Sequence, residues 1–195
     1  MNFLAHTYLS FNDPEILTGN LISDFVKGRK KYDYQPGILH GIELHRAIDE
    51  FTDDHDINKE IKKVFKPAYG LYSGAFLDVV YDHFLALDLA EQGQEEFEKF
   101  TERSYDDVAR FEPLLPETFR NIFPYMRQQN WLYNYQFSFG IKNSFEGLVH
   151  RARYISESAP AFKAFKDNYE SLKQAFEEFF PQLRIYSLEK FSDIH

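Results

Sequence analysis

The segment Gly74–Gln92 is apolar on every side. Phe76, Leu77, Val79, Val80, Tyr81, Phe84, Leu85 and Leu87 surround its axis at helical spacing. A helix hydrophobic all round has to be enclosed by other elements, and the rest of the chain reads as a set of helices able to enclose it. Asp13-Pro14 is a helix start, with Asp as the cap and Pro at the first helical position, and Gly28 is its stop. A long helix is expected from about Ile38 to Phe65, broken near Asp54–Asp56. Further amphipathic segments cover about Glu95–Phe111, Pro116–Asn130, Phe139–Ile155 and Pro160–Phe180, with Pro181 closing the last. Only Trp131–Phe137 offers a strand reading. Gly and Pro number 9 and 8 of 195 residues, too few for a turn-dense sandwich or barrel. The expected fold is all-α, a single compact multi-helix domain over residues 1–195. That length suffices for a sizeable core, since a domain near this size hides roughly 70% of its unfolded surface.

Composition excludes several chemistries. With 0 Cys there is no disulfide framework, thiolate zinc site, iron–sulfur cluster or Cys nucleophile. The P-loop, the dinucleotide glycine fingerprint, the nucleophile elbow and the His-Glu-x-x-His motif are all missing. The start, Met1-Asn-Phe-Leu-Ala-His6, has neither a basic nor a long apolar region, and no stretch is apolar enough to span a membrane, so a cytoplasmic protein without membrane attachment is expected. Thirty-one acids against 22 bases leave a net charge of −9, which argues against nucleic-acid binding. Two basic runs stand out locally: Lys27, Arg29, Lys30 and Lys31, then Lys59, Lys62, Lys63 and Lys66. They read either as solvated helix faces or as a dock for an anionic partner. The 21 Phe and 13 Tyr are core packing or the wall of a groove for a long, thin ligand.

The informative residues are polar groups on apolar helices. Asp78 and Asp82 lie four apart, on one face of the buried segment. Two carboxylates in low dielectric oppose each other's ionisation, a cost removed by a cation between them, or by caps and salt bridges from neighbouring helices. On the long helix, His45, Asp49, Thr52 and Asp53 flank the stripe Leu44, Ile48 and Phe51. His45 with Asp49 has the spacing of a divalent-metal ligand pair, and equally of a simple His–Asp hydrogen bond. Asn20 and Asp24, followed by Lys27, repeat the pattern, and so do Asn2 and His6. Four such pairs in the first 83 residues suggest one shared interior site. Histidines and carboxylates without Cys favour Mn, Mg, Fe or Zn in a hydrolytic role, where a metal supplies hydroxide near neutral pH and neutralises phosphoryl charge. The His55-Asp56 dipeptide is read as surface, and His40, His150 and His195 as structural or exposed.

The same residues carry a resemblance. Asn2-Phe-Leu-Ala-His6, Gly19-Asn-Leu-Ile-Ser-Asp-Phe-Val-Lys-Gly28, Gly41-Ile-Glu-Leu-His-Arg-Ala-Ile-Asp49 with Thr52-Asp53, and Asp78-Val-Val-Tyr-Asp-His-Phe-Leu85 resemble the acyl carrier protein phosphodiesterase family, densely over residues 1–88. The resemblance implies an all-helical, HD-phosphohydrolase-like bundle. It implies hydrolysis of the phosphodiester joining 4′-phosphopantetheine to a Ser of holo-acyl carrier protein, with a divalent cation, typically manganese. His6, Asp24, His45, Asp49, Asp78 and Asp82 become the candidate metal ligands. Among them Asp24, His45, Asp49 and Asp82 are candidate catalytic residues, with His45 or His83 as a general acid. Asn20, Lys27 and Arg46 become candidates for holding phosphate. The carrier is acidic, so docking would use the basic runs. An HD-like phosphohydrolase of a small nucleotide, or a non-catalytic helical module gripping carrier protein, are the alternatives.

Overall fold

Helix boundaries follow local capping chemistry. In the computed structural model, which describes residues 1–193, Asp13 accepts the Glu15 and Ile16 N–H groups at 2.9 Å each, and Pro14 opens helix α2 (Pro14–Ile22). The short α1 (Phe3–Tyr8) precedes it. α2 stops at Ile22 rather than near Gly28, because the backbone tightens into a 3-10 turn at Ser23–Phe25 and becomes extended at Val26, with the Ser23 hydroxyl donating to the Ile42 carbonyl at 3.3 Å. Two 3-10 turns, Ser23–Phe25 and Gly28–Asp33, lead on to α3 (Pro36–Asp54), again with Pro at its first turn. The expected break falls at His55, whose extended backbone separates α3 from α4 (Asp56–Ile61), and the Asn58 amide braces the corner on the Thr52 carbonyl at 2.8 Å.

After the short α5 (Lys66–Tyr69), the central helix α6 spans Ser73–Gln92. It is enclosed as its composition requires: Phe76, Val79, Val80, Tyr81 and Ala86 have no accessible surface, and α1, α7 (Gln94–Ala109), α10 (Ser138–Arg151) and α12 (Tyr169–Ser192) all pack on it. α8 (Glu117–Gln128) and α9 (Trp131–Asn134) connect α7 to α10, and α11 (Ala159–Asp167) precedes α12. Trp131–Phe137 is thus a short helix and a turn, capped by the Asn130 side chain on the Tyr133 N–H, and no strand occurs among the described residues.

Pro181 does not close the last helix. The segment splits instead at Asn168, and α12 runs through Pro181 to Ser192. Pro181 removes one intrahelical N–H bond, but it sits on the exposed face, where water can serve the freed carbonyl. Beyond it Leu183 and Ser187 are buried, and Phe191 packs on Phe11 at a tilt with ring centres 5.0 Å apart, so packing holds the helix together. The chain is all-α, around one core that runs from Met1 to Leu183. No described helix is long and apolar enough to cross a membrane. His195 lies outside the described residues.

One crossing positions the site. α2 and α3 meet backbone to backbone at Gly19 and Gly41. A Cβ on Gly19 would stand 2.0 Å from the Ile38 carbonyl oxygen, and one on Gly41 would stand 2.2 Å from that of Ile16. Only glycine permits this approach. It sets Asn20, the next residue on α2, against His45, one turn further along α3.

Candidate metal centre

The α2–α3 crossing brings His45 to the Asn20 carbonyl, where its Nδ1 makes a 2.7 Å hydrogen bond, leaving Nε2 to face two carboxylates. Asp24 Oδ1 is 3.3 Å from Nε2 and Asp49 Oδ2 is 3.1 Å away. α1 lays His6 flat on His45, with ring centres 3.9 Å apart and planes 13° apart. The Asn20 amide fixes this stack from behind, donating to the His6 carbonyl at 3.0 Å and to Ser10 Oγ at 3.1 Å. His6 Nε2 lies 3.3 Å from Asp49 Oδ1. That approach is not aligned for a hydrogen bond, and both ring nitrogens of His6 are buried without a hydrogen-bond partner.

The electrostatics separate the two rings. Burial and the neighbouring His45 push the His6 imidazole down to about 4, against the pull of Asp49. Burial opposes the charge on His45 too, but its hydrogen bonds to Asp24 and Asp49 outweigh it and raise the imidazole to about 9. Repulsion between stacked imidazoles opposes charging both, so the charge favours His45. Its hydrogen bond lowers Asp24. Burial would raise Asp49, yet the Met1 amine and His45 hold it far below the usual carboxylate range.

The expected residues divide into three groups. His6, His45 and Asp49 come together, with ligand-grade atoms all within 4.8 Å of one another. Asp24 and Asp78 flank this trio: Asp24 is largely exposed at its mouth, and Asp78 lies 3.3 Å from the Met1 amine, which also meets Asp49 at 3.1 Å. Burial pushes Asp78 up to about 6 despite that amine. Asp82 is used differently, since its carboxylate accepts the Leu4 and Ala5 N–H groups at 2.7 and 3.1 Å and so caps α1. Burial drives it up to about 7, with those two donors working against the rise.

Of the residues expected at phosphate, Asn20 is fully buried and committed to His6 and Ser10. Lys27 and Arg46 are exposed, and Arg46 donates to the Val26 carbonyl at 3.2 Å. His83 is turned away: its Nδ1 meets the Tyr135 carbonyl at 2.7 Å, and its ring packs edge-on against Phe165. His55 is not simply surface, for it is half-buried against Phe51 and Phe179, although Asp56 is exposed. His40 is half-buried and His150 exposed. The Met1 amine is a neighbour that residue types could not announce, because only the tertiary fold brings it to Asp49 of α3 and Asp78 of α6.

The donor set suits a divalent ion. Two imidazoles and a carboxylate are borderline ligands for Mn, Fe or Zn. A buried His6 with no hydrogen-bond partner calls for an explanation, and a cation among these atoms provides one.

The fold and this centre define a class: an all-helical protein whose interior gathers two histidines and a carboxylate at a glycine-mediated helix crossing. The chain belongs to the acyl carrier protein phosphodiesterase family, whose model matches residues 1–183. It is 31% identical over 191 residues to an acyl carrier protein phosphodiesterase of Yersinia enterocolitica, covering 97% of this chain and 99% of that one. It is 31% identical to the protein of that name from Yersinia pestis, over 94% of this chain and 95% of the other, and 32% identical to one from Klebsiella pneumoniae with the same coverage. No solved structure matches the chain.

Proposed function

We propose that the protein is a divalent-cation-dependent phosphodiesterase that releases 4′-phosphopantetheine from holo-acyl carrier protein and leaves the apo carrier, a reaction of the cytoplasm. One observation carries the metal dependence: His6 is buried with both ring nitrogens unpartnered, within ligand distance of His45 and Asp49. The substrate is supported by the names of relatives that match this chain from end to end. The His and Asp donors on neighbouring helices also support the relation to HD-type phosphohydrolases.

His6, His45 and Asp49 would hold the ion, which we take to be Mn²⁺, with Mg²⁺, Fe²⁺ or Zn²⁺ as substitutes. When bound, such an ion supplies Lewis acidity toward the phosphodiester and makes water a better nucleophile. The chain's own residues do the rest. The Asn20 carbonyl holds the His45 Nδ1 proton, which keeps Nε2 turned toward the carboxylates. Asp24 stands at the exposed side of the centre, where it can take a proton from an entering water. Lys27 and Arg46, both exposed, offer positive charge to the non-bridging phosphoryl oxygens. Asp82 acts at one remove by anchoring α1, and with it His6.

Carrier docking is best assigned to the first basic run. Lys59, Lys62 and Lys63 of the second are matched by Asp54, Asp53 and Glu60 at 3.5, 3.9 and 2.7 Å. In the first, Lys31 pairs with Glu43 at 2.8 Å, while Lys27, Arg29 and Lys30 make no ion pair among the described residues. These cations follow Asp24 by three to six residues in sequence and suit an acidic partner.

The deciding experiment is the mass of purified holo-acyl carrier protein after incubation with this protein and Mn²⁺, with an EDTA control. The expected outcome is loss of one phosphopantetheine unit, abolished by EDTA. An unchanged carrier mass, from folded protein with bound metal, would reject the substrate and redirect attention to nucleotide phosphodiesters.

A further inference from the structure

A cavity of about 760 Å³ opens between the start of α1, the turn after α2, and helices α8, α9 and α10. The wall nearest the metal centre is Asn2, Phe3 and Phe25, neighbours in sequence of Met1 and Asp24. The Asn2 amide donates to the Tyr135 hydroxyl at 2.9 Å, both residues lining the cavity. The walls combine two chemistries. Trp131, Phe139 and Ile122 supply apolar surface, and Thr118, Asn143 and Ser144 supply amide and hydroxyl groups. His150 and Arg151 bring basic side chains to the lining.

Two glycines of α10 face the same cavity, seven residues and so two helical turns apart. Gly140 has an ordinary packing reason, because a Cβ there would sit 1.9 Å from the Asn134 carbonyl oxygen. Gly147 has none: a Cβ at that position would meet nothing within 4 Å. A glycine inside a helix lowers its stability, so one that packing does not require is a candidate for keeping space open. The space is of ligand size. A bare hydrocarbon chain would bury the Asn, Ser and Thr groups without partners, which is unfavourable. A polyphosphate would find few cations inside. A thin, uncharged chain carrying amides satisfies both kinds of wall.

We infer that this cavity receives the diamide arm of the substrate's phosphopantetheine, with its phosphate end at the His6–His45–Asp49 centre and its thiol end toward α10, and that Gly147 keeps the channel open. This inference rests on the phosphodiesterase reading and adds to it the place where the arm binds. No bond is made or broken in the cavity. Its role is to bind and align, so its contribution should be read in KM more than in kcat.

The test uses the protein's single tryptophan, Trp131, which lines the cavity. Titrating free pantetheine into the wild-type protein should shift the Trp131 emission to saturation, and Gly147→Leu should abolish that shift. The substitution faces open space and replaces a helical glycine with a better helix former, so the far-UV circular dichroism and Tm should be retained. With Mn²⁺ present, Gly147→Leu should lower kcat/KM for holo-carrier at least tenfold relative to that for bis(p-nitrophenyl) phosphate, with Gly147→Ala intermediate. A Trp131 spectrum unmoved by pantetheine, or an unaltered ratio of the two substrates in folded Gly147→Leu, overturns the arm assignment and leaves the phosphodiesterase standing. Wild-type protein that loads Mn²⁺ and leaves holo-carrier intact overturns the phosphodiesterase reading, and the arm assignment with it.

Discussion

Asp49 is the residue on which the centre turns, touching the Met1 amine, His6 and His45 at once. Asp24 has a single partner there, His45. The two should therefore differ in degree. Asp24→Asn loosens the orientation of His45, and calorimetry should show Mn²⁺ affinity down roughly 10- to 100-fold, in the range of lost supporting contacts to a metal ligand. Asp49→Asn removes a donor itself and should exceed that loss. The histidines also set a pH dependence. With divalent ions chelated, His45 titrates at about 9, above its unfolded value, so its contribution to stability is complete below pH ~6.5 and lost as pH rises through about 9. The metal-free Tm should fall across that window. Metal binding needs neutral imidazoles, so the Tm increment from Mn²⁺ should grow over the same interval. An increment that shrinks from pH 6.5 to 9 would exclude His45 as a ligand.

At the level of elements, two features hold the centre in place. Asp82 of α6 does for α1 what a side-chain N-cap does for most helices, because Asn2, at the cap position, turns its own amide to Tyr135. Asp82→Ala leaves two buried N–H groups without an acceptor and should cost about 1–3 kcal/mol in urea unfolding. Asp82→Asn keeps one acceptor oxygen and should cost less. Both should depress turnover through the position of His6, while leaving most of the helical signal. The second feature is the Gly19–Gly41 crossing, without which Asn20 and His45 would not meet.

For the whole molecule, the balance of charge matters as much as its total. On the proposed docking, a protein of net charge −9 approaching an acidic carrier is repelled overall and attracted locally, through the run that contains Arg29 and Lys30. Screening shortens both effects, with a Debye length of ~10 Å at 0.1 M salt. The local attraction acts at contact and sets productive docking, so added salt should raise KM for holo-carrier, while KM for a small diester moves little. Arg29→Glu combined with Lys30→Glu should lower kcat/KM for the carrier about tenfold, chiefly through association. A carrier KM indifferent to both salt and charge reversal would move the dock elsewhere.

Capping and periodicity act within a turn or two of chain, so the all-helical class and most helix starts can be read from local sequence. Asp13-Pro14, the break near His55 and the buried Ser73–Gln92 segment were legible for that reason. It also marked His6, His45 and Asp49 as polar residues out of place on apolar helices, which short-range spacing can show. What it could not do was sort six candidate ligands. Asp78 and Asp82 look alike in sequence, and only the packing of α1 on α6 sends one to the Met1 amine and the other to the Leu4 and Ala5 N–H groups. Pro181 is a helix end by local rules, and tertiary contacts beyond it carry α12 onward. The unpartnered His6 nitrogens and the cavity held open at Gly147 likewise exist only once helices distant in sequence have met, since an unmet hydrogen bond or an empty space is a property of neighbours.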